Sequence, residues 1–492
     1  MRGGGLQLPP VHAGIRRPKS ILESTDMSHP ALHYDTLLSV GARIQTGEMS
    51  AKEVTQAQLD RIAEIDPNLN SYATVCGERA LEQAERADQE IAKGIHRGPL
   101  HGVPIALKDL CYTTFAPTEG GMKIARGFVP DFNATVVDRL EMAGAVTLGK
   151  LMMTEGAYTS HHPDNAVPAN PWNPEYWVGS SSSGSGSATA AGLCYASLGS
   201  DTGGSIRYPS ASCGLTGLKP TWGRVSRYGV YPLADSLDHI GPMARSAADC
   251  AAMIGPMAGW DPNDTTTINA PVPDYLSALT PGLRDMRIGL DRSYAFDGVQ
   301  PEVSGALERA LDVLRDLGAR IVDITLPPFK ELVAVWEYMC AIETAMAHKE
   351  TYPARASEYG PDLAQLIDIG LATTGVQAAE GTVLRLEYSG ALKEALSQVD
   401  CMICPTMPTP TPSLAEMGDY GKDPEILRAI MNYTAPFDFS GNPTVTLPNG
   451  FGANGMPLSM RFVGKYLGEA QVLRAAHAFQ SATDWHCAHP DM

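Results

Sequence analysis

An α/β fold, with a sheet covered by helices on both faces, is predicted by three observations. Helix-like and strand-like segments alternate along the chain, short turns join them, and no internal repeat interrupts the pattern. A length of 492 residues with 44% hydrophobic content is enough to bury one large core or a core split into two lobes.

Residues 1–26 carry Arg2, Arg16, Arg17 and Lys19 without the apolar stretch that follows in a secretory signal. They are expected to be a disordered extension, with Met27 as a second start and residues 27–492 as one folded unit. From Ala134 the spacing of Val137, Leu140 and Met142 predicts a helix; Gly144 stops it, and Ala145 to Leu148 reads as a short buried strand. The device returns where Pro301 opens a helix carrying Val303, Leu307, Leu311 and Leu314, Gly318 closes it, and Ile321 to Leu326 follows as a strand. Pro327 and Pro328 begin a segment, 328–412, rich in large side chains: Trp336, Tyr338, Met339, Met346, Tyr352 and Tyr359. It reads as a helical packing layer, some of whose side chains are candidates for a substrate-pocket wall, since pockets are lined mainly by apolar and aromatic groups. Asn442 to Phe462 reads as strands and turns, and Glu469 to Phe479 as a closing amphipathic helix.

Composition excludes several classes. A formal charge of −18, from 37 basic and 55 acidic residues, repels phosphate backbones, and no dense Lys/Arg cluster offsets it locally, so direct nucleic-acid binding is not expected. No apolar run approaches the roughly 18 residues a membrane helix needs. Nine scattered cysteines do not resemble a disulfide framework and fit a reducing cytoplasm. Cys401 and Cys404 form a C-x-x-C, but inside an apolar run ending at Pro405, which reads as a buried strand rather than a metal or redox site. Adjacent residues such as His161 and His162 seldom converge on one ion, and no H-E-x-x-H is present; they are expected in a polar loop.

The run from Gly179 to Ser187 is the most unusual stretch. A flexible linker is one reading, against which stand its shortness, Trp177-Val178 before it and an Ala-rich helix former after it. Gly179 and Gly184 have the spacing of a phosphate loop, but Ser185 stands where its Lys belongs, and Ser183 occupies the second Gly of a nucleophile elbow. Past the helix a second Gly/Ser element follows, Ser200-Asp201-Thr202-Gly203-Gly204-Ser205-Ile206-Arg207, so two serine-bearing turns can meet in space.

At this point the chain resembles the amidase-signature family, whose pattern is a Gly/Ser run, an Ala-rich helix and a D-x-G-G-S-[aliphatic]-R element. Gly102-Val103-Pro104-Ile105-Ala106-Leu107-Lys108-Asp109 is similar to the family's G-V-P-x-x-x-K-D element, and Gly217 to Thr221, Gly223 to Ser226 and Ser236 to Pro242 continue the likeness, which spans roughly Leu37 to Pro490. One departure is Ser180, where the family usually has Gly, Ala or Val. The resemblance implies a central mixed twisted β-sheet covered by helices, and a triad of Ser205 as nucleophile, Ser181 as bridging serine after a cis peptide bond, and Lys108 as terminal base. The 24-residue interval between Ser181 and Ser205 matches the family's, and spacing alone separates Ser181 from Ser180 and Ser182.

That triad suits an unreactive bond. An amide needs an activated nucleophile, a proton donor and anion stabilisation together. A lysine accepts a proton near pH 7 only if desolvation lowers its pKa by several units from about 10.4, so Lys108 is expected to be buried. The small residues of the turn let backbone N–H groups converge on one oxygen, and the resemblance implies an oxyanion hole from Thr202, Gly203, Gly204 and Ser205. Asp201 and Arg207 flank the turn and are expected to hold its shape. Water would release the acyl group, so no metal or cofactor is called for.

Three functions follow from the resemblance. The favoured one is a stand-alone amidase for small amides, aryl-substituted ones included, with esters and carbamates in range. The second is the glutaminase component of a glutamyl-transfer-RNA amidotransferase, which needs a partner protein. The third is a catalytically silent binding protein on the same fold. Homodimers are common among relatives.

Overall fold

Residues 32–329 and 331–492 are described by a computed structural model, and the expectations for residues 1–26 and Met27 lie outside them. Within it eleven strands form one sheet: β1 (Tyr72–Val75), β2 (Pro104–Lys108), β3 (Val146–Leu151), β4 (Ala196–Asp201), β5 (Thr216–Lys219), β6 (His239–Ala244), β7 (Arg287–Leu290), β8 (Arg320–Asp323), β9 (Cys401–Pro405), β10 (Thr444–Phe451) and β11 (Pro457–Gly464). Their spatial order is β1-β3-β2-β4-β6-β5-β10-β11-β9-β7-β8. Pairing is parallel in β3-β2-β4 and in β9-β7-β8 and antiparallel elsewhere, so the sheet is mixed. Helices cover it: Ala247–Met257 and Pro301–Asp316 pack on the strands and on Glu469–Ala482, while Ser183–Ala190 packs with Arg207–Ser212 against the middle strands. One cluster of buried apolar side chains runs from Leu37 to Phe479.

The predicted units are present with shifted ends. Thr135–Met142 is a helix, Gly144 turns with φ of 85°, and β3 follows. Met142, read as part of the apolar stripe, is instead exposed, so Val136, Val137 and Leu140 make the buried face. Pro301 stands at the first turn of Pro301–Asp316. The strand after it is shorter than the sequence suggests, because beyond Asp323 the backbone N–H of Leu326 turns to the Asp291 carboxylate at 2.7 Å. Segment 328–412 contributes the helices Leu332–Ala347, Pro361–Ala372 and Gly375–Ala395 before β9. Cys401 and Cys404 are buried in that strand, where Arg461 Nε donates to Cys404 Sγ at 3.2 Å, and all nine cysteines are free. No helix of the described residues is long and apolar enough to cross a membrane.

The largest departure lies in the Gly/Ser run. The helix begins at Ser183, inside the run rather than after it, with all eight residues to Ala190 buried. Ser and Gly are poor helix formers, and tertiary contacts override them: Ser185 Oγ donates to the Leu198 carbonyl of β4 at 2.8 Å, and Ser187 Oγ to the Ala169 carbonyl at 2.7 Å. The hydroxyls tie the helix to its surroundings in place of apolar side chains.

Phe462, fully buried in β11, tests the account of the core. Phe462→Ala is expected to cost about 3–5 kcal/mol in urea unfolding, whereas Leu386→Ala, at an exposed helical position, is expected to stay within about 0.5 kcal/mol.

Candidate active site

Three neighbouring segments converge at one end of the sheet. β2 ends in Lys108, β4 ends in Ser200-Asp201 and pairs with β2 through Ala106 and Ser197, and the Gly179 to Ser182 segment crosses beside them into its helix. Lys108 is completely buried. Its Nζ lies 2.7 Å from Ser181 Oγ, 2.9 Å from Ser182 Oγ and 2.7 Å from Ser200 Oγ. Burial lowers its ammonium to about 7, against the opposing pull of the Asp201 and Asp238 carboxylates. The bond between Ser180 and Ser181 is cis, and Thr154 N–H donates to the Ser181 carbonyl at 3.2 Å. Ser182 and Ser200 complete the shell around the amine; Ser182 sits in the Gly/Ser run and Ser200 just before the D-x-G-G-S element, but nothing in the pattern marked them as partners of Lys108.

The turn from Thr202 to Ser205 is held from below. The Asp201 carboxylate accepts from the backbone N–H groups of Gly204 at 2.7 Å, Ile206 at 3.0 Å and Arg207 at 3.3 Å, and from Arg207 Nη2 at 2.7 Å and Nε at 3.0 Å. Despite burial, the Arg207 guanidinium holds the Asp201 carboxyl well below the usual carboxylate range. Arg207 also donates to the Thr434 carbonyl at 2.8 Å and to Asp438. From the other side, Trp336 Nε1 donates to the Thr202 carbonyl at 2.8 Å, Thr434 Oγ1 to the Gly203 carbonyl at 2.6 Å, and Thr202 Oγ1 to Asp238 at 2.5 Å. The two glycines are required by close approach: a Cβ on Gly203 would meet the Trp336 indole at 2.6 Å, and one on Gly204, whose φ is 136°, the Tyr208 ring at 2.3 Å. Asp201 and Arg207 thus shape the turn, as the sequence suggests.

One expectation needs correction. Gly204 N–H is committed to Asp201 and is not available to a substrate oxygen. Among the described residues no partner takes the N–H of Thr202, Gly203 or Ser205, which remain as candidate donors. His161 and His162 lie in a loop with polar partners, although it is packed inward. His162 is buried, and His161 Nε2 lies 2.9 Å from Ser183 Oγ, with burial lowering its ring to about 4. No group of His, Cys, Asp or Glu among the described residues could hold a metal ion.

Above the turn lies a cavity of about 300 Å³, floored by Thr202, Gly203 and Ser205. Its walls combine the apolar Leu233, Val333, Trp336, Ile430 and Met431 with the polar Thr159, Ser180 and Tyr208. Glu337 and Arg428 also line it, both partly exposed and 4.0 Å apart. Trp336, singled out in the sequence as a candidate wall residue, lines it, and so does Tyr158.

Known proteins share this architecture. A family model described as Amidase matches residues 53–473. The chain is 47% identical over 458 residues to a Mycobacterium tuberculosis protein carrying the amidase name AmiD, covering 92% of this chain and 95% of that one. It is 40% identical over 472 residues to a glutamyl-tRNA(Gln) amidotransferase component from Thermosynechococcus vestitus, covering 90% and 97%. Among solved structures, the native peptide amidase from Stenotrophomonas maltophilia matches with a TM-score of 0.77 at 30% identity, over 90% of this chain and 96% of that one.

Removing the charge beneath the turn is the direct structural test. Asp201→Asn leaves Arg207 buried and half-paired, and is expected to cost about 3–5 kcal/mol in urea unfolding; an unchanged unfolding midpoint would contradict the anchoring role.

Proposed function

The chain belongs to the amidase family and is a hydrolase of carbon–nitrogen bonds, and on that premise we propose that it cleaves small amides, aryl-substituted ones included, through an acyl-enzyme on Ser205. The observation that carries this reading is the buried Lys108 amine, with a pKa near 7, 2.7 Å from Ser181 Oγ.

A neutral amine has two N–H groups and one lone pair. Three hydroxyls surround Lys108, so two can accept while the third, Ser181, donates to the lone pair. In that state Ser181 Oγ is free to take the Ser205 proton as its own passes to Lys108. Ser205 Oγ then bonds to the acyl carbon, and the carbonyl electron pair moves onto oxygen, where N–H groups of the 202–205 turn receive it. Collapse re-forms the carbonyl and breaks the C–N bond. Its pair stays on nitrogen, which takes the proton returned through Ser181, and the amine leaves. Water repeats the sequence on the ester, releasing the carboxylic acid and restoring Ser205. Each free N–H donor to the oxyanion is worth about 3 kcal/mol. Esters and carbamates present the same carbonyl and fall within reach of the same steps.

Glutamine brings an α-ammonium and an α-carboxylate, to which Glu337 and Arg428 in the cavity wall are opposite charges, so glutamine belongs in the substrate test. A panel of chromogenic anilides, esters, carbamates and glutamine tests the proposal with the chain purified alone. Turnover of anilides or carbamates is expected, falling at least 10³-fold, on the order seen when a nucleophile is removed, in Ser205→Ala and Lys108→Met. Glutamine turnover alone, or none without a partner, would replace it with the amidotransferase reading. Failure of a serine-reactive phosphonate to label Ser205 would leave a silent binding protein.

A further inference from the structure

Two features that stand out in the sequence, the serine at position 180 and the histidine at 161, lie on opposite sides of one interface. Across it the loop 154–161 grips the segment that carries Ser181. Thr154 N–H donates to the Ser181 carbonyl at 3.2 Å. Ser180 Oγ donates towards the Tyr158 and Thr159 carbonyls, 3.1 and 3.0 Å away. His161 Nε2 lies 2.9 Å from Ser183 Oγ. The residue before Ser181, its own carbonyl and the second residue after it are thus all tied to the loop, while its hydroxyl points to Lys108 at 2.7 Å. The loop is itself fixed. Glu155 N–H donates to the Ser160 carbonyl and Gly156 N–H to the Gly120 carbonyl, both at 2.9 Å, and the Glu155 carboxylate accepts from Gly360 N–H at 2.9 Å. Ala157 has φ of 64°, a left-handed conformation that a residue with a Cβ keeps only where its surroundings impose it.

We infer that Ser180 and His161 are positioning residues for the proton relay, holding the Ser181 hydroxyl against Lys108 by tying its backbone to the 154–161 loop. This rests on Ser181 acting as the relay between Ser205 and Lys108. Proton transfer needs its heavy atoms within hydrogen-bond reach, and a small misplacement of a reacting group is costly in rate. A serine hydroxyl sits one carbon from the main chain, so apart from χ1 its position is that of the backbone beneath it. In a Gly/Ser run that backbone has few bulky side chains to pin it, and the hydroxyl and imidazole contacts supply the constraint instead. His161 does this without adding charge beside the relay: burial lowers its ring to about 4, so it is neutral where Lys108 titrates, near 7. The loop has a second face as well. Ala157, Tyr158 and Thr159 line the cavity over Ser205, so the residues whose carbonyls receive Ser180 Oγ also border the substrate.

The test uses the full chain and two readouts: labelling of Ser205 by an uncharged serine-reactive phosphonate, and steady-state turnover of one anilide. Ser180→Ala is expected to slow labelling several-fold and His161→Leu about tenfold, the scale of losing one hydrogen bond that aligns a reacting group. In both variants the pH midpoint of labelling is expected to stay near 7, because the neighbours of Lys108 are unchanged. The loss is expected in kcat, with KM within about twofold of the wild type. His161→Gln, whose side-chain amide can reach Ser183 Oγ, is expected to recover most of the rate. Labelling at the wild-type rate in both Ser180→Ala and His161→Leu would overturn the assignment, even if the urea midpoint falls, since that marks a purely structural role. A loss confined to KM would overturn it as well, because it marks a substrate contact, and His161→Gln no faster than His161→Leu would overturn it for His161. Labelling that survives Ser205→Ala, or that Ser181→Ala leaves unchanged, would instead remove the relay reading beneath it.

Discussion

Lys108 ends a parallel strand with its amine wholly out of water, and an ammonium in that position forgoes solvation worth several kcal/mol. Protein groups must either supply a counter-charge within hydrogen-bonding distance or accept a neutral amine. Here the immediate partners are three uncharged hydroxyls, and the nearest carboxylates act only from a distance. Burial wins, and the amine sits near neutrality at physiological pH. The surrounding architecture follows from that constraint. The Gly/Ser segment brings two hydroxyls to Lys108, the adjacent strand β4 brings the third, and Ser-rich helical surface replaces the apolar side chains that would ordinarily fill the space.

The other half of the site has the opposite electrostatics. Under the 202–205 turn, Asp201 and Arg207 form a buried ion pair that continues to Asp438. A carboxylate with five donors has no reason to move, so the backbone N–H groups it does not engage keep fixed directions. Trp336 and Thr434 hold the turn's carbonyls from the opposite side. Trp336 therefore has two functions, since its ring also walls the cavity. Trp336 thus links the cavity wall contributed by the 328–412 segment to the 202–205 turn.

Much of this was legible in the sequence. The alternating α/β pattern, the helix–turn–strand units at Ala134 and Pro301, and the buried strand holding Cys401 and Cys404 follow from local periodicity and from Pro and Gly signals. The motifs identified Lys108, Ser181 and Ser205, and the structure places Lys108 against Ser181 and Ser205 on the floor of the cavity. What was not legible depends on long-range contacts. Propensity starts the helix after the Gly/Ser run, but Ser185 and Ser187 find carbonyls only in the folded chain, and the helix begins at Ser183. Composition around the turn offers four N–H donors alike, yet Gly204 is consumed by an Asp three residues earlier. Ser182, Ser200, Thr434 and Asp438 are ordinary polar residues until distant segments meet, and the exposed position of Met142 is set by neighbours its spacing does not reveal.

The central claim is that a neutral, buried Lys108 draws the proton from Ser205 through Ser181. The pH dependence of Ser205 labelling by an uncharged phosphonate measures this step without substrate or product release. Below its pKa, Lys108 is an ammonium and cannot accept a proton; above it, the lone pair is free. The labelling rate is therefore predicted to rise about tenfold per pH unit and level off above about 7, with Ser181→Ala labelling slowly at every pH. A rate that is flat from pH 5 to 9, or that keeps rising towards the ordinary lysine pKa of about 10.4, would contradict it.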